Sequence, residues 1–368
     1  MNNPLGIYLH VPFCESKCAY CEFYSYRTDV AFYDRYTDTL CEHIRLSGKH
    51  IKKPVDSIYF GGGTPSLLGG ERIGRILNTL RSSFTLKDPE ITLEANPADD
   101  LLNDFKIMAD YGVNRLSLGV QSAVDSELKA LSRRHTNDDV IRTAKAAKSV
   151  GISNISLDLM LGIPHQTIDS LRKSLDFLLI QEPTHISCYI LKIEQNTPFG
   201  RADIKSLDLP DDDTVADMYL FTSEYLKRKG FKHYEVSNFA KPGYNSRHNT
   251  RYWLCEEYLG LGPSAYSYLN GKRFHFERDT EKYITSPVVI YDDNGGDYEE
   301  YCMLRLRLSA GLDMSDVIRF FGQEKADLIN NNLAKFKNSD LINVNGSNIS
   351  LTAKGFLLSN SVISELIF

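Results

Sequence analysis

The sequence predicts an α/β fold: a partial, TIM-like (β/α)6 barrel followed by a smaller, mixed helical, winged-helix-like domain. Three observations carry this. Short β-branched or aromatic runs alternate with longer helical patterns over roughly the first 200 residues. Most of those runs end in residues suited to a binding site, and the pattern changes after Leu191.

The strand candidates are 5–10, 57–60, 91–94, 115–118, 155–159 and 185–191, and helical periodicity fills 31–50, 70–84, 101–111, 138–150 and 167–181. Strand, helix, strand at this spacing implies a parallel sheet, because parallel partners need a crossover long enough to hold a helix. Six such units are too few to close an eightfold barrel, so an open one is expected. His10, Gly61-Gly62-Gly63, Glu94, Gln121 and Asp158 stand at or just past strand ends, where parallel α/β folds bind their ligands. Further on, Asp208 to Asp213 reads as an acidic turn that caps a helix beginning near Thr214. An aromatic stretch runs from His233 to Tyr268, and Pro287 to Asp297 reads as a loop. The tail reads as short helices, a hairpin at Asn345-Gly346 and a final helix from Ala353. The expected organisation is a barrel over 1–205, a connecting region over 206–297 and a C-terminal domain over 298–368.

Composition excludes several classes. Of 368 residues, 42% are hydrophobic and 24% charged, as in folded globular chains rather than disordered or fibrous ones. Lys plus Arg is 42 against 48 for Asp plus Glu, a net charge of −6, which lacks the basic footprint of a nucleic-acid or anionic-membrane binder. The tail also lacks the clustered basic face that a DNA-binding winged helix needs. No apolar run approaches the ~18 residues of a membrane span, so no direct membrane insertion is expected. Met1-Asn2-Asn3-Pro4 has no basic n-region, and His10 and Pro12 break the apolar stretch behind it. No secretory signal is therefore expected, and the cytoplasm is the expected location. Seven cysteines are too odd a set for a fully paired framework, and three of them fall within eight residues, which points to metal or redox chemistry in a reducing compartment.

Those three are Cys14, Cys18 and Cys21, in Cys-Glu-Ser-Lys-Cys-Ala-Tyr-Cys directly after the first strand. Soft, anionic thiolates at this spacing suit three irons of a 4Fe–4S cluster and leave the fourth iron open. The alternative is a zinc site, which needs a fourth protein ligand, and His10 is the candidate. The next strand ends in Gly61-Gly62-Gly63-Thr64-Pro65, whose glycines let backbone groups approach a small zwitterion closely. By itself such a run is a tight turn.

With the cysteines ahead of it, this order resembles the radical S-adenosylmethionine (SAM) superfamily. In that superfamily the methionine end of SAM chelates the open iron, and electron transfer releases a 5′-deoxyadenosyl radical. His10-Val11-Pro12-Phe13-Cys14, Leu93 to Pro97, Ser117 to Ser122, Asp158 to Pro164 and Leu351 to Gly355 resemble the oxygen-independent coproporphyrinogen oxidase family across essentially the whole chain. The resemblance implies SAM contacts for Tyr8, Gly62, Gly63, Thr64, Glu94, Gln121, Arg133 and Asp158, and Tyr20, inside the cysteine motif, joins the cofactor-binding candidates. Carboxylates suit ribose hydroxyls and an ammonium, and an arginine suits a carboxylate. Each has a plainer reading: Glu94 or Asp158 as a helix cap, Arg133 as a surface charge, Tyr8 as core.

Two departures set this chain apart from the decarboxylating members. Those carry a further cysteine two positions after the third, where Phe23 stands here, and an extension ahead of the tyrosine equivalent to Tyr8, which only seven residues precede here. Both fit the heme-chaperone branch of the family. So does His248-Asn249-Thr250-Arg251-Tyr252-Trp253, which matches the HNxxYW pattern of that branch. The resemblance implies His248 as a candidate imidazole donor for heme iron. Tyr244, Tyr252 and Trp253 offer flat apolar area, and Arg247 and Arg251 offer charge for the propionates. The plainer reading of His248 is a hydrogen-bonded core residue. Cys41, Cys188, Cys255 and Cys302 read as packing thiols, with Cys255 a minor alternative ligand.

The resemblance thus implies a protein that binds a 4Fe–4S cluster, SAM and heme. Heme would pass to heme-requiring proteins such as respiratory enzymes, with the cluster aiding transfer or a homodimer. The rival reading is the coproporphyrinogen oxidase itself, and a third is a cluster-bearing scaffold that takes no porphyrin.

Overall fold

The computed structural model describes residues 3–97 and 101–368; Met1 and Asn2, part of the stretch read for a signal, lie outside them. Six parallel strands pair in chain order: β1 (Leu5–Val11), β2 (Val55–Gly62), β3 (Leu86–Ala95), β4 (Arg115–Gln121), β5 (Asn154–Leu161) and β6 (His185–Ile190). Each overlaps a strand expected from the sequence. The intervening helices Val30–His50, Gly69–Ser83, Leu102–Asp110, Asn137–Ser149 and Ile168–Ile180 fall on the periodic segments.

The physical reason is burial on both sides. In β1 every residue but Tyr8 is buried, because helices cover one face and the barrel interior fills the other. Helix starts follow their caps. Thr136 and Thr167 form reciprocal capping boxes with Asp139 and Ser170. Asp211 accepts the Thr214 N–H at 2.8 Å and opens the helix Asp212–Arg228, as its acidic turn suggested.

The sheet continues where the sequence showed only a connecting region. Beyond β6 lie β7 (Lys232–Glu235) and β8 (Asn238–Ala240), with β8 antiparallel to β6. On the other side of β1, β9 (Tyr258–Leu261) pairs in parallel, and antiparallel β10 (Tyr266–Leu269), β11 (Lys272–Phe276) and β12 (Val289–Asn294) follow. Among the described residues this makes one sheet of 12 strands in the order β12-β11-β10-β9-β1-β2-β3-β4-β5-β6-β8-β7. The stretch 287–297, expected to be a loop, therefore holds an edge strand. Pairing with β11 overrides the turn-like Asp292-Asp293-Asn294 composition.

The helix Arg247–Trp253 sits beneath the barrel interior. The Glu90 carboxylate accepts the Arg247 and His248 backbone N–H groups at 2.9 and 3.3 Å. The His248 ring lies 5.3 Å from Tyr59 and 6.4 Å from Tyr8. The C-terminal domain forms as its pattern suggested. Helices Tyr298–Arg305, Met314–Phe321 and Gln323–Leu333 precede a hairpin of Ile342–Asn345 and Asn348–Leu351. That hairpin turns at Gly346, whose φ of 62° is one glycine adopts at little steric cost. Backbone bonds from Val236 N–H to Arg307 C=O and from Ser309 N–H to Tyr234 C=O, both 3.0 Å, fasten the domain to β7.

Candidate functional site

At the carboxyl ends of the parallel strands lies a cavity of about 440 Å³. Cys14, Cys18 and Cys21 line it, as do Tyr20, Gly62, Gly63, Thr64, Glu94, Gln121, Arg133 and Asp158. The topology gathers residues spread over 145 positions because all but Arg133, which follows the short helix Asp125–Ala130, sit toward the carboxyl end of a strand or in the loop behind it.

The cysteine loop is unpaired by disulfides and half-buried. The Cys14 N–H bonds Tyr26 C=O at 3.0 Å, and the Cys21 N–H bonds Cys18 C=O at 3.2 Å. Arg133 donates from Nη1 to Cys18 Sγ at 3.6 Å and from Nη2 to Asn96 Oδ1 at 2.8 Å and to Gly119 C=O. Its buried Nε has no partner among the described residues. Asn96 in turn donates to Thr64 Oγ1 at 2.9 Å, and Thr64 Oγ1 lies 3.5 Å from Cys14 Sγ.

The glycine loop is strapped to the segment that leads into the cysteines. The Gly63 and Thr64 N–H groups bond Val11 and Phe13 carbonyls at 2.8 and 2.7 Å. A Cβ on Gly63 would stand 2.5 Å from Phe13 O, and Gly62 adopts φ 110°, so neither position accepts a side chain without displacing the loop.

Two carboxylates face the same space. Tyr59 O–H donates to Glu94 Oε1 at 2.8 Å and Gly62 N–H to Oε2 at 3.2 Å. Burial, reinforced by Asp158, still pushes the Glu94 carboxyl up to about 7. Asp158 accepts from Ser117 Oγ at 3.2 Å, and burial raises its carboxyl as well. The chemistry of this donor set suits a cluster and a zwitterion, although among the described residues no three His, Cys, Asp or Glu side chains converge on a single metal position. Three thiols share a loop, one beside a guanidinium, and a glycine cradle and an orphaned N–H stand next to them. His10, the fourth ligand that zinc would need, is engaged elsewhere: Nδ1 bonds Tyr8 O–H at 3.0 Å and Nε2 bonds Tyr24 C=O at 2.9 Å.

A second cavity, of about 650 Å³, adjoins the first and is walled largely by aromatic rings. Tyr8, Tyr24, Tyr252, Tyr258 and Tyr266 line it, with His275 and Arg278. Phe23, 68% exposed, lines both cavities. Phe23 thus stands at the partition between a polar and an aromatic space.

The profile of the Radical SAM superfamily matches residues 8–178, and that of the HemN C-terminal domain matches 297–358. The chain is similar to the heme chaperone HemW of Lactococcus lactis, 33% identical with 100% of this chain and 98% of that protein covered. The heme chaperone HemW of Escherichia coli is 38% identical over 72% of this chain and 70% of its own length.

The chain belongs to the HemW family.

Among solved structures, the coproporphyrinogen III oxidase HemN of Escherichia coli superposes with a TM-score of 0.85. The match covers 99% of this chain and 90% of that one at 23% identity, which speaks for the fold alone. The superfamily implies a 4Fe–4S cluster and SAM as cofactors. Among the described residues no helix is long and apolar enough to cross a membrane.

The segment 248–253 is divided between environments. Asn249 lines the polar cavity, and Tyr252 lines the aromatic one. His248 lies between them, fully buried, with Nδ1 bonded to Ser57 Oγ at 3.0 Å and Nε2 to Tyr252 O–H at 2.8 Å. Both ring nitrogens are thereby engaged. Trp253 lines neither cavity; its ring meets Arg307 at 6.0 Å, at the junction with the C-terminal domain. The arginines expected to meet propionates are committed to the protein. Arg251 pairs with Asp56 at 2.5 Å and Glu256 at 3.0 Å, and Arg247 donates to Asp88 C=O at 2.8 Å. Tyr8, expected beside SAM, lines the aromatic cavity and stacks on Tyr59, with ring centroids 6.2 Å apart.

Tyr59, Asn96, Arg115, Ser117 and Asn249 also line the polar cavity; sequence reasoning assigned none of them a site role, although Asn96, Ser117 and Asn249 fall within the motifs that carry the resemblance. One signal was available. Arg115, Ser117, Gly119 and Gln121 alternate along β4 and share its inward face, so the single residue Gln121 already implied the other three. The aromatic cavity carried no such signal, because its wall comes from β1, the cysteine loop and β9 to β11.

Proposed function

We propose that this protein is a heme chaperone built on a radical SAM frame, binding heme beside a 4Fe–4S cluster and delivering it to heme-requiring proteins such as respiratory enzymes. The observation that carries this reading is the pair of adjoining cavities sharing Phe23, one suited to cluster and SAM, the other aromatic and of ligand size. Cys14, Cys18 and Cys21 hold three irons. Tyr20, Gly62, Gly63, Thr64, Glu94, Gln121, Arg133 and Asp158 receive SAM, with Tyr8 behind them. When bound, the reduced cluster supplies an electron and SAM a cleavable sulfonium. Heme lies against the aromatic wall, where His248 fixes Tyr252 through their 2.8 Å bond and Trp253 anchors the same helix to the C-terminal domain. The sheet ends in the exposed strand β12, which is compatible with a homodimer.

The test is direct. The chain is purified anaerobically with its cluster rebuilt, then offered heme, and separately coproporphyrinogen with SAM and reductant. A shifted heme Soret band without formation of protoporphyrinogen is expected. Protoporphyrinogen as product would overturn the chaperone reading in favour of the oxidase, and an unshifted Soret band would remove heme altogether.

SAM binding is expected to depend on pH through Glu94. Its carboxyl, at about 7, ionises as pH rises. The anion is the better partner for an ammonium or ribose hydroxyls, so affinity should tighten by up to about tenfold from pH 6 to pH 8. Calorimetry of SAM binding at the two pH values checks this. In Glu94→Gln, binding should be weaker and no longer vary with pH, and a retained pH dependence would count against the assignment.

A further inference from the structure

Of the nine histidines, two line the aromatic cavity, His10 and His275, and they differ in what their nitrogens are doing. His10 is 4% exposed and uses both nitrogens within the protein. His275, on β11, is held by one. Its Nδ1 lies 3.0 Å from Asp292 Oδ2 on the neighbouring strand β12. Nε2 has no hydrogen-bond partner among the described residues. A carboxylate on Nδ1 keeps the proton on that nitrogen and leaves the Nε2 lone pair available, the arrangement that fixes the tautomer and orientation of metal-ligating histidines. The ring itself is held flat against Tyr266, 4.6 Å away and inclined by 23°.

The surroundings match a flat, amphipathic metal chelate. Tyr252 and Tyr258 pack edge to face at 4.5 Å. Arg278, whose guanidinium stands 5.6 Å over the Tyr24 ring and donates from Nη2 to Glu22 C=O, supplies positive charge at the wall next to the cysteine loop. The lining also holds Ser264 and one carboxylate, Glu22; its aromatic faces, the Arg278 guanidinium and the one imidazole with an unengaged nitrogen, His275, suit a metalloporphyrin with acidic side chains.

We infer that the aromatic cavity is the heme site and that His275, oriented by Asp292, is the axial ligand. This rests on the heme-binding reading above and assigns the iron to His275, while His248 positions Tyr252. The coordination bond forms by donation of the Nε2 lone pair to iron, displacing at most a bound water, with no change of oxidation state.

The experiment titrates hemin, and separately iron-free protoporphyrin, into the full cluster-loaded chain and into His275→Ala. Hemin should bind the variant at least about tenfold more weakly, with a Soret band characteristic of lost nitrogen ligation, and added free imidazole should restore the spectrum. Iron-free protoporphyrin should bind both proteins alike, showing that the cavity is intact. Asp292→Asn should weaken hemin binding by about tenfold through misorientation of the ring. His165→Ala should leave it unchanged. His165 also carries a carboxylate on Nδ1, from Asp208 at 2.7 Å, but lines neither cavity. An unaltered hemin spectrum and affinity in His275→Ala would overturn ligation by His275 and leave the heme-binding reading standing. A parent chain that bound no hemin would remove both. Should His275→Ala not fold, His275→Gln with imidazole rescue decides the same question.

Discussion

Replacing Cys14, Cys18 or Cys21 singly with serine is expected to abolish the cluster while leaving the barrel folded. A hydroxyl is neither soft nor anionic near neutral pH, so it does not replace a thiolate on iron. Each thiol lies half-buried in a loop beyond β1, bridged to no other cysteine, so the fold does not lean on its sulfur. Iron content and visible absorbance should fall to background, whereas cofactor-free stability should change by no more than about 0.5 kcal/mol. The buried cysteines behave in reverse. Cys188→Ser or Cys302→Ser places a hydroxyl at a site 1% or 0% exposed, which should retain the cluster and cost about 1 to 3 kcal/mol. A Cys18→Ser protein with full iron content would sink the assignment, because Cys18 also carries the 3.6 Å contact from Arg133.

A second large effect concerns the pH dependence of stability. Burial, helped by the charges of Arg251 and Arg115, lowers the His248 imidazole to about 3 in the folded chain. Unfolded, it titrates near its ordinary value of about 6.5. Between those values the unfolded state holds a proton that the folded state does not, so stability is whole above pH 6.5 and declines as pH falls. The slope is about 1.4 kcal/mol per pH unit, or about 2 kcal/mol from pH 6.5 to pH 5. His10 and His233, each lowered to about 4 chiefly by burial, add in the same direction. Glu94 and Glu235, raised to about 7 by burial, oppose it, since their folded forms gain protons first. The difference between two proteins isolates one group. His248→Gln should be less stable at pH 7, having lost its bonds to Ser57 and Tyr252, and should lose stability less steeply below pH 6.5. Urea unfolding of the cofactor-free proteins at stepped pH would therefore give converging curves, and parallel curves would mean that His248 is not held neutral by the fold.

How much could be read in advance differs between the two cavities. The polar cavity is built from strand ends and the loops that follow them. Strand ends are visible as breaks in a local hydrophobic pattern, so Glu94, Gln121, Asp158 and the glycine loop were legible one at a time. Arg133 was found by resemblance, and its reach across to Cys18 and Asn96 depends on the turn after the short helix Asp125–Ala130. Arg115 was missed because a charged residue opening a strand looks like a surface flank, although the barrel buries it to 1% exposure.

The sequence by itself determined the six βα units and the position and spacing of the thiols. These depend on residues near one another in the chain, where alternation, helical period and capping act directly. Only the tertiary structure decided that residues 232–294 extend the sheet on both edges, that His248 is enclosed with both nitrogens engaged, and that His275 lines the aromatic space with no partner for Nε2 among the described residues. Short strands of three to six residues carry too little periodicity to announce their partners, and a histidine's role depends on what packs against each nitrogen. Asp292, 17 residues from His275, becomes its partner only because β11 and β12 pair antiparallel at the sheet edge.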